Sequence, residues 1–276
     1  MAAILMLGLP NTGKTTFLAA FWEAVEGSHS GQLTLTELPP EAGYLNEIRA
    51  AWQRCEEIRR TAAGQINRIT LRLQSQTDGR FDLAMPDLSG EYFREAWENR
   101  VWPRELDELV SGADGYLFFI HSQVALSVSF DEVEPIAPAG ASIDVDHARV
   151  GVWDPAKTST QVKAVDVLQM VLSRRQEVDR VPLVMVISAW DLVEKGGRMP
   201  SQWLSKELPL LDQFLRANSD RFETQLVGVS AQGGDLSQAA GLMQLTKPVD
   251  RIRVVSEDGP NDITAPVQWI GSRLLK

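Results

Sequence analysis

Hydrophobic positions along the chain alternate between two periods. Residues 3–7 form a short apolar run, and residues 14–25 carry Phe17, Leu18, Phe21, Trp22 and Val25 at helical spacing. That pair predicts a strand followed by an amphipathic helix. Residues 33–38 alternate polar and apolar until Pro39-Pro40 breaks the run. Leu45, Ile48, Trp52, Cys55 and Ile58 then recur at helical spacing across residues 41–60. Residues 66–74 alternate as a half-buried strand does. Thr77-Asp78-Gly79-Arg80 supplies an Asp-Gly turn, and residues 81–85 form the second arm of a hairpin.

Further on, residues 116–120 and 183–188 are continuous apolar runs, as expected of parallel strands covered on both faces. Residues 226–230 are a shorter version. Helical patterns fall between them at 92–110, 159–176 and 202–217, with a last one near 267–275. The alternation predicts an α/β fold: a mostly parallel sheet with helices on both faces and one antiparallel edge hairpin. Two stretches interrupt it, at about 27–63 and 122–158, and read as insertions in a single domain spanning 1–276. The second holds Pro135, Pro138, Gly140, Gly151 and Pro155 beside acids at Asp131, Glu132, Glu134, Asp144 and Asp146, without the ligand spacing of a calcium loop.

Composition narrows the partners. The 276 residues are 44% hydrophobic with a net charge of −10, which disfavours nucleic acid or an anionic membrane as the main partner. No apolar run reaches the roughly 18–20 residues of a membrane span. The first ten residues lack a basic start and run into a loop motif, so they do not read as a signal peptide, and a cytoplasmic location is expected. The single cysteine, Cys55, excludes an internal disulfide and fits a reducing compartment.

The chemistry begins where the first strand ends. Gly8-Leu9-Pro10-Asn11-Thr12-Gly13-Lys14-Thr15 matches G-x-x-x-x-G-K-[ST] between a strand and a helix. In such a loop the backbone N–H groups of Gly8 to Thr16, including Asn11, Thr12 and Gly13, cradle phosphates. Lys14 reaches the β- and γ-phosphates, and the Thr15 hydroxyl binds Mg²⁺. The following helix turns its positive end to the same place. The expected fold is therefore the three-layer P-loop NTPase fold, with a bound nucleotide and Mg²⁺. At the end of the hairpin, Asp87-Leu88-Ser89-Gly90 forms Asp-x-x-Gly, placing Asp87 where an acid would complete the Mg²⁺ shell.

With these residues in order, the chain resembles the Ras-like GTPases of the translation-factor-related P-loop class. Ser188-Ala189-Trp190-Asp191-Leu192 stands where that family carries its base-reading [NT]-K-x-D, and Ser230-Ala231-Gln232 where it carries Ser-Ala-[KL]. The resemblance implies that Asp191 accepts hydrogen bonds from guanine N1 and N2. It also implies that a backbone N–H of the 230–232 loop meets guanine O6, and that Gly90 contacts the γ-phosphate. A switch threonine ahead of the hairpin, Thr61 with Thr36 as the alternative, would bind Mg²⁺ and the γ-phosphate. Arg59 and Arg60 adjoin it where some relatives carry a catalytic arginine.

The chain departs from that pattern in three places. Ala189 replaces the lysine that packs over the base. Glu91 replaces the water-positioning glutamine after Gly90. Pro10 and Asn11 occupy loop positions that are often glycine. ATP therefore stays open beside GTP, and so does a scaffold that binds nucleotide without hydrolysing it, or a kinase of the same fold class. His121 and the tryptophans at 22, 52, 97 and 102 read as structural, while Trp190 sits where it could reach either core or base.

A more particular resemblance is to the double-GTPase families of bacterial conflict systems. It rests on the long segment before the hairpin, the insertion after the 116–120 strand, the Trp190-Asp191 variant, and Pro266-Val267-Gln268-Trp269-Ile270 near the end. It implies a slow, partner-stimulated GTPase switch cycling between GTP and GDP. Its protein partner would be a second GTPase subunit or a defence effector.

Overall fold

The computed structural model describes residues 2–27, 33–58, 67–76, 79–87, 97–99, 101–102, 104–124, 158–175, 180–193, 197–245, 247–257 and 259–275. Eight strands form one sheet in the order β2-β3-β4-β1-β5-β6-β7-β8. They are β1 (Ala2–Gly8), β2 (Leu33–Leu35), β3 (Asn67–Ser75), β4 (Gly79–Asp87), β5 (Gly115–His121), β6 (Val181–Ser188), β7 (Phe222–Ser230) and β8 (Arg253–Val255). Strands β4, β1, β5, β6 and β7 run parallel, so their C-terminal ends share one edge of the sheet. The expected hairpin is β3–β4, paired from Asn67↔Asp87 to Ser75↔Gly79. Two three-residue strands extend the sheet at its margins, β2 on β3 and β8 on β7, both antiparallel. Strand β8 is too short to leave a periodic signal in the sequence.

Alternate residues of the central strands enter two different cores, as a period of two requires. Ile4 and Met6, Leu117 and Phe119, and Val184 and Val186 join one; Leu5 and Leu7, Phe118 and Ile120, and Met185 and Ile187 join the other. The first core is closed by α1 (Lys14–Glu26), α2 (Ala42–Gln53) and α8 (Ala265–Leu274). The second is closed by α3 (Arg104–Gly112), α4 (Thr160–Arg174), α5 (Pro200–Glu207) and α6 (Pro209–Ala217). A single turn, α7 (Ala239–Leu242), precedes β8. This double covering explains the unbroken apolar runs of β5 and β6.

Several boundaries differ from the periodic reading, each for a local reason. The helix read across 41–60 ends at Gln53. Cys55 follows with φ 55°, a left-handed conformation that terminates the helix while still burying the thiol. The single helix read across 202–217 is two: Pro209 lacks an N–H and holds Leu208 out of the helical region, at φ −133° and ψ 59°. Of the helix read across 92–110, the described residues show helical backbone at 97–98 and α3 from Arg104. In α4 the start is capped by Ser159, whose Oγ accepts from the Val162 N–H.

The chain leaves β1 toward β2, β3 and β4 on one side, then crosses to β5 on the other. The C-terminal end of β1 therefore lies where connections diverge, the place where open α/β sheets leave a crevice.

Candidate functional site

Five segments converge on that edge: the 8–15 loop after β1, Asp87 closing β4, His121 closing β5, the 188–192 turn after β6, and the 230–232 loop after β7. Register fixes their neighbours. Gly8 pairs with Phe119, His121 with Ser188, and Ser188 with Val229.

The 8–15 loop is shaped by its backbone. Gly8 has φ 150°, and a Cβ there would lie 2.6 Å from the Phe119 carbonyl oxygen. Only glycine lets β1 run this close to β5 and still turn. Gly13 has φ 75° and precedes α1, while Asn11 is exposed at φ 58°. Asparagine tolerates this region better than most side chains. The Lys14 ammonium is folded back over the loop. It donates to Gly8 O at 2.9 Å, Leu9 O at 2.8 Å and Thr12 Oγ1 at 3.4 Å. Thr12 itself donates to Leu9 O at 2.8 Å. Thr15 and Thr16 follow in the first turn of α1, both half-buried. The loop thus combines a positive point charge, a helix N-terminus and glycines that admit close approach.

The 188–192 turn is held to this loop and to the core. A Cβ on Gly13 would stand 3.3 Å from the Ser188 Oγ. That buried hydroxyl has no hydrogen-bond partner among the described residues. Ala189 adopts φ 51° and ψ 45°, and its carbonyl accepts from Ser122 Oγ at 2.8 Å. Ser122 also donates its N–H to Ser188 O at 3.0 Å. Trp190 is fully buried and meets Trp203 edge-to-face. A Cβ at Gly228 would lie 2.2 Å from its ring, so β7 is bare at that point to seat the indole. Trp190 is therefore a core residue, and its burial turns Asp191 and the exposed Leu192 outward on one short helical turn.

Asp191 and Ser230 meet. The Ser230 Oγ donates to Asp191 Oδ1 and accepts from the Gly233 N–H at 3.2 Å. Residues 39 apart in sequence are thereby joined into one surface. Behind it the Trp52 indole N–H donates to Ala231 O at 3.0 Å, and Gln232 Nε2 donates to Trp52 O at 3.4 Å.

Of the remaining sequence-derived candidates, Thr61, Gly90 and Glu91 lie outside the described residues, as do Arg59 and Arg60. For Asp87 the structure gives the backbone, at the C-terminal end of β4. Thr36 is not brought to the site. It donates its hydroxyl and its N–H to Arg72 O, at 3.3 and 3.0 Å, and Arg72 pairs with Asp82, beside Ala3. That level lies five residues short of Gly8. His121 stands at the right edge, with its Nδ1 accepting from the Gln123 N–H at 3.0 Å.

The residues present suit a nucleoside triphosphate. The glycine-lined cradle and Lys14 match phosphate, the buried Ser188 hydroxyl is free to bond at the rim, and Asp191 offers a carboxylate. The fit to Mg²⁺ rests on Thr15. Among the described residues no group of three or more His, Cys, Asp or Glu could hold a metal alone.

The sequence matches the model of the family described as Double-GTPase 1 over residues 5–270. This chain belongs to the Double-GTPase 1 family. Membership supports GTP binding. Similar solved structures include two of the S. cerevisiae Ski7 GTPase-like domain. One, bound to GDP and inorganic phosphate, is 12% identical with a TM-score of 0.47, covering 99% of this chain and 48% of that one. The other, bound to GTP, is 12% identical with a TM-score of 0.43, covering 84% and 43%. The chain spans less than half the length of either. No curated protein matches it. In this Double-GTPase 1 chain no described helix is long and apolar enough to cross a membrane.

Four residues that frame the site carry no motif of their own: Ser122, Gly228, Trp52 and Arg251. Gly228 had a readable signal, since a glycine inside a strand marks close approach of another group. The other three act across separations of 67 to 199 residues, which no local pattern encodes.

Proposed function

We propose that this chain is a GTP-binding switch that hydrolyses GTP slowly with Mg²⁺ and passes its nucleotide state to a protein partner. The observation that carries this reading is the Ser230–Asp191 hydrogen bond beside the Lys14 loop. A carboxylate fixed by a neighbouring hydroxyl at the same sheet edge as a phosphate loop presents paired acceptor oxygens to the N1–H and N2–H₂ donors of guanine. Adenine offers no such donor pair.

In this reading the backbone N–H groups of Gly8, Asn11, Thr12, Gly13, Lys14, Thr15 and Thr16 bind the phosphates. Lys14 neutralises charge that develops on the transferring group. Thr15, with Asp87 and Thr61, would hold Mg²⁺, which when bound would supply positive charge to polarise the phosphates. Ser188, Asp191, Leu192, Ser230, Ala231 and Gln232 enclose the base, Gly90 senses the γ-phosphate, and Glu91 orients the attacking water. Thr61 and Gly90 belong to the segments released after hydrolysis, which is how nucleotide state would reach a second GTPase subunit or an effector.

Glu91 also favours a second reading, a scaffold that binds GTP and leaves it intact, because a carboxylate beside the γ-phosphate is repelled by it. Calorimetry of GTP and ATP with Mg²⁺ tests the first part. Wild type should prefer GTP, Lys14→Ala should abolish binding of both, and Asp191→Ala should erase the preference. An Asp191→Ala protein that still preferred GTP would overturn the guanine assignment. Single-turnover phosphate release decides between switch and scaffold, and its absence in the presence of a cognate partner would favour the scaffold.

A further inference from the structure

The 230–232 loop rests on two residues from distant parts of the chain. Trp52 lies in the last turn of α2, is fully buried, and holds the Ala231 carbonyl through its indole N–H at 3.0 Å. The Arg251 guanidinium lies 4.1 Å from the centre of the Trp52 ring. It donates to Trp52 O, to Gln53 O at 3.4 Å and to Cys55 Sγ at 3.2 Å. The Arg251 backbone also supports the loop, since a Cβ on Gly233 would lie 2.4 Å from its carbonyl oxygen.

Arg251 is only 3% exposed, and among the described residues no carboxylate lies within ion-pair distance of it. Arginine is rarely buried this deeply without a counter-charge. Here the last carbonyls of α2 serve instead, carrying the partial negative charge of a helix C-terminus. Burial lowers the Arg251 pKa from its ordinary value, while Cys55 and Glu23 act the other way. A cation this difficult to bury marks a place where its geometry matters.

We infer that Trp52 and Arg251 are positioning residues for base selectivity, acting through the peptide between Ala231 and Gln232. The inference rests on the guanine reading above. In a trans peptide the C=O and the following N–H point in opposite directions. Fastening the Ala231 carbonyl to the Trp52 indole therefore aims the Gln232 N–H away from it, while the Ser230 anchor restrains the N–H on the other side of Ala231. A donor so fixed accepts a purine with a carbonyl at position 6 and opposes one with an amino group there. Arg251 keeps the indole at the required angle by stacking on it and tying down the helix end that carries it.

The test removes the indole donor while keeping an aromatic ring at the same place. Trp52→Phe in the full chain should bind GTP about tenfold more weakly, the loss of one well-placed hydrogen bond. Its affinity for 2-aminopurine riboside triphosphate, which lacks the 6-oxo group, should stay within about twofold of wild type. A purely structural role would weaken both nucleotides alike, and that outcome, or an unchanged GTP affinity, overturns the inference. Arg251→Lys keeps the charge but loses the planar stack, and should show the same GTP-selective loss at about threefold. It serves as the test if Trp52→Phe does not fold, and a uniform loss there overturns the inference as well. If wild type shows no preference for GTP over the 2-aminopurine nucleotide, the guanine reading falls and this inference with it. If Asp191→Ala abolishes a wild-type preference that Trp52→Phe and Arg251→Lys both spare, only this inference falls.

Discussion

The proposed phosphate end and the proposed base end of the candidate site are built in opposite ways. The 8–15 loop is shaped by its own backbone, with left-handed Gly13 and Asn11, bare Gly8, and a lysine that bonds to carbonyls five and six residues before it. The base end is shaped by distant side chains: Ser122 on Ala189, Ser230 on Asp191, Trp52 on Ala231, and Trp190 seated on Gly228. A backbone-made site needs a fixed sequence of small residues and tolerates almost no substitution. A side-chain-made site can drift in sequence while keeping its shape, which is how Ser188-Ala189-Trp190-Asp191 can depart from the pattern it resembles and still present Asp191.

The contrast can be broken most severely at Gly228. Gly228→Val would drive a side chain into the fully buried Trp190 ring, and we expect a loss of about 3 kcal/mol in stability, read by denaturant unfolding. A variant as stable as wild type would show that the indole is not held as described. A smaller and more selective effect is expected at Ser230. Ser230→Ala should lower GTP affinity about tenfold, with ATP affinity unchanged, because it frees the Asp191 carboxylate and the Gly233 N–H and leaves the Lys14 loop untouched. Equal losses for both nucleotides would mean that the base end also shapes the phosphate loop. The smallest effect compares Asn11 and Ala189, two of the three non-glycine residues held left-handed among the described residues. Ala189→Gly should stabilise the protein by about 0.5 kcal/mol by removing a strained Cβ, whereas Asn11→Gly should change stability less, since asparagine already tolerates that conformation. Paired unfolding curves would read the difference, and a larger gain at Asn11 would reverse the ranking.

How much could be read in advance follows the same division. The strand–loop–helix at Gly8–Lys14, the β3–β4 hairpin and the doubly covered strands β5 and β6 are local patterns, and each stands where periodicity and turn chemistry placed it. The break at Leu208 was also present in the sequence as Pro209, but the helical apolar spacing on either side masked it. What was not legible depended on tertiary proximity. Trp52 looked like any core tryptophan on an apolar helix face, and nothing near it in sequence announces the Ala231 carbonyl 179 residues later. Arg251 reads as one surface arginine among many until the fold buries it. Thr61, Gly90 and Glu91 lie outside the described residues, so their proposed roles rest on the motif order alone.

The seating of Trp190 has a further consequence, in time rather than in space. The turn that carries Asp191 is closed by the Leu192 N–H on Ala189 O at 3.1 Å and the Val193 N–H on Trp190 O at 2.9 Å. Surface turns ordinarily open by themselves, and their amides exchange with solvent through small local fluctuations. This one cannot open without withdrawing an indole from between β7 and Trp203. Its amides should therefore exchange with the slow protons of the central sheet, and the Asp191 carboxylate would keep its place for as long as the sheet itself does.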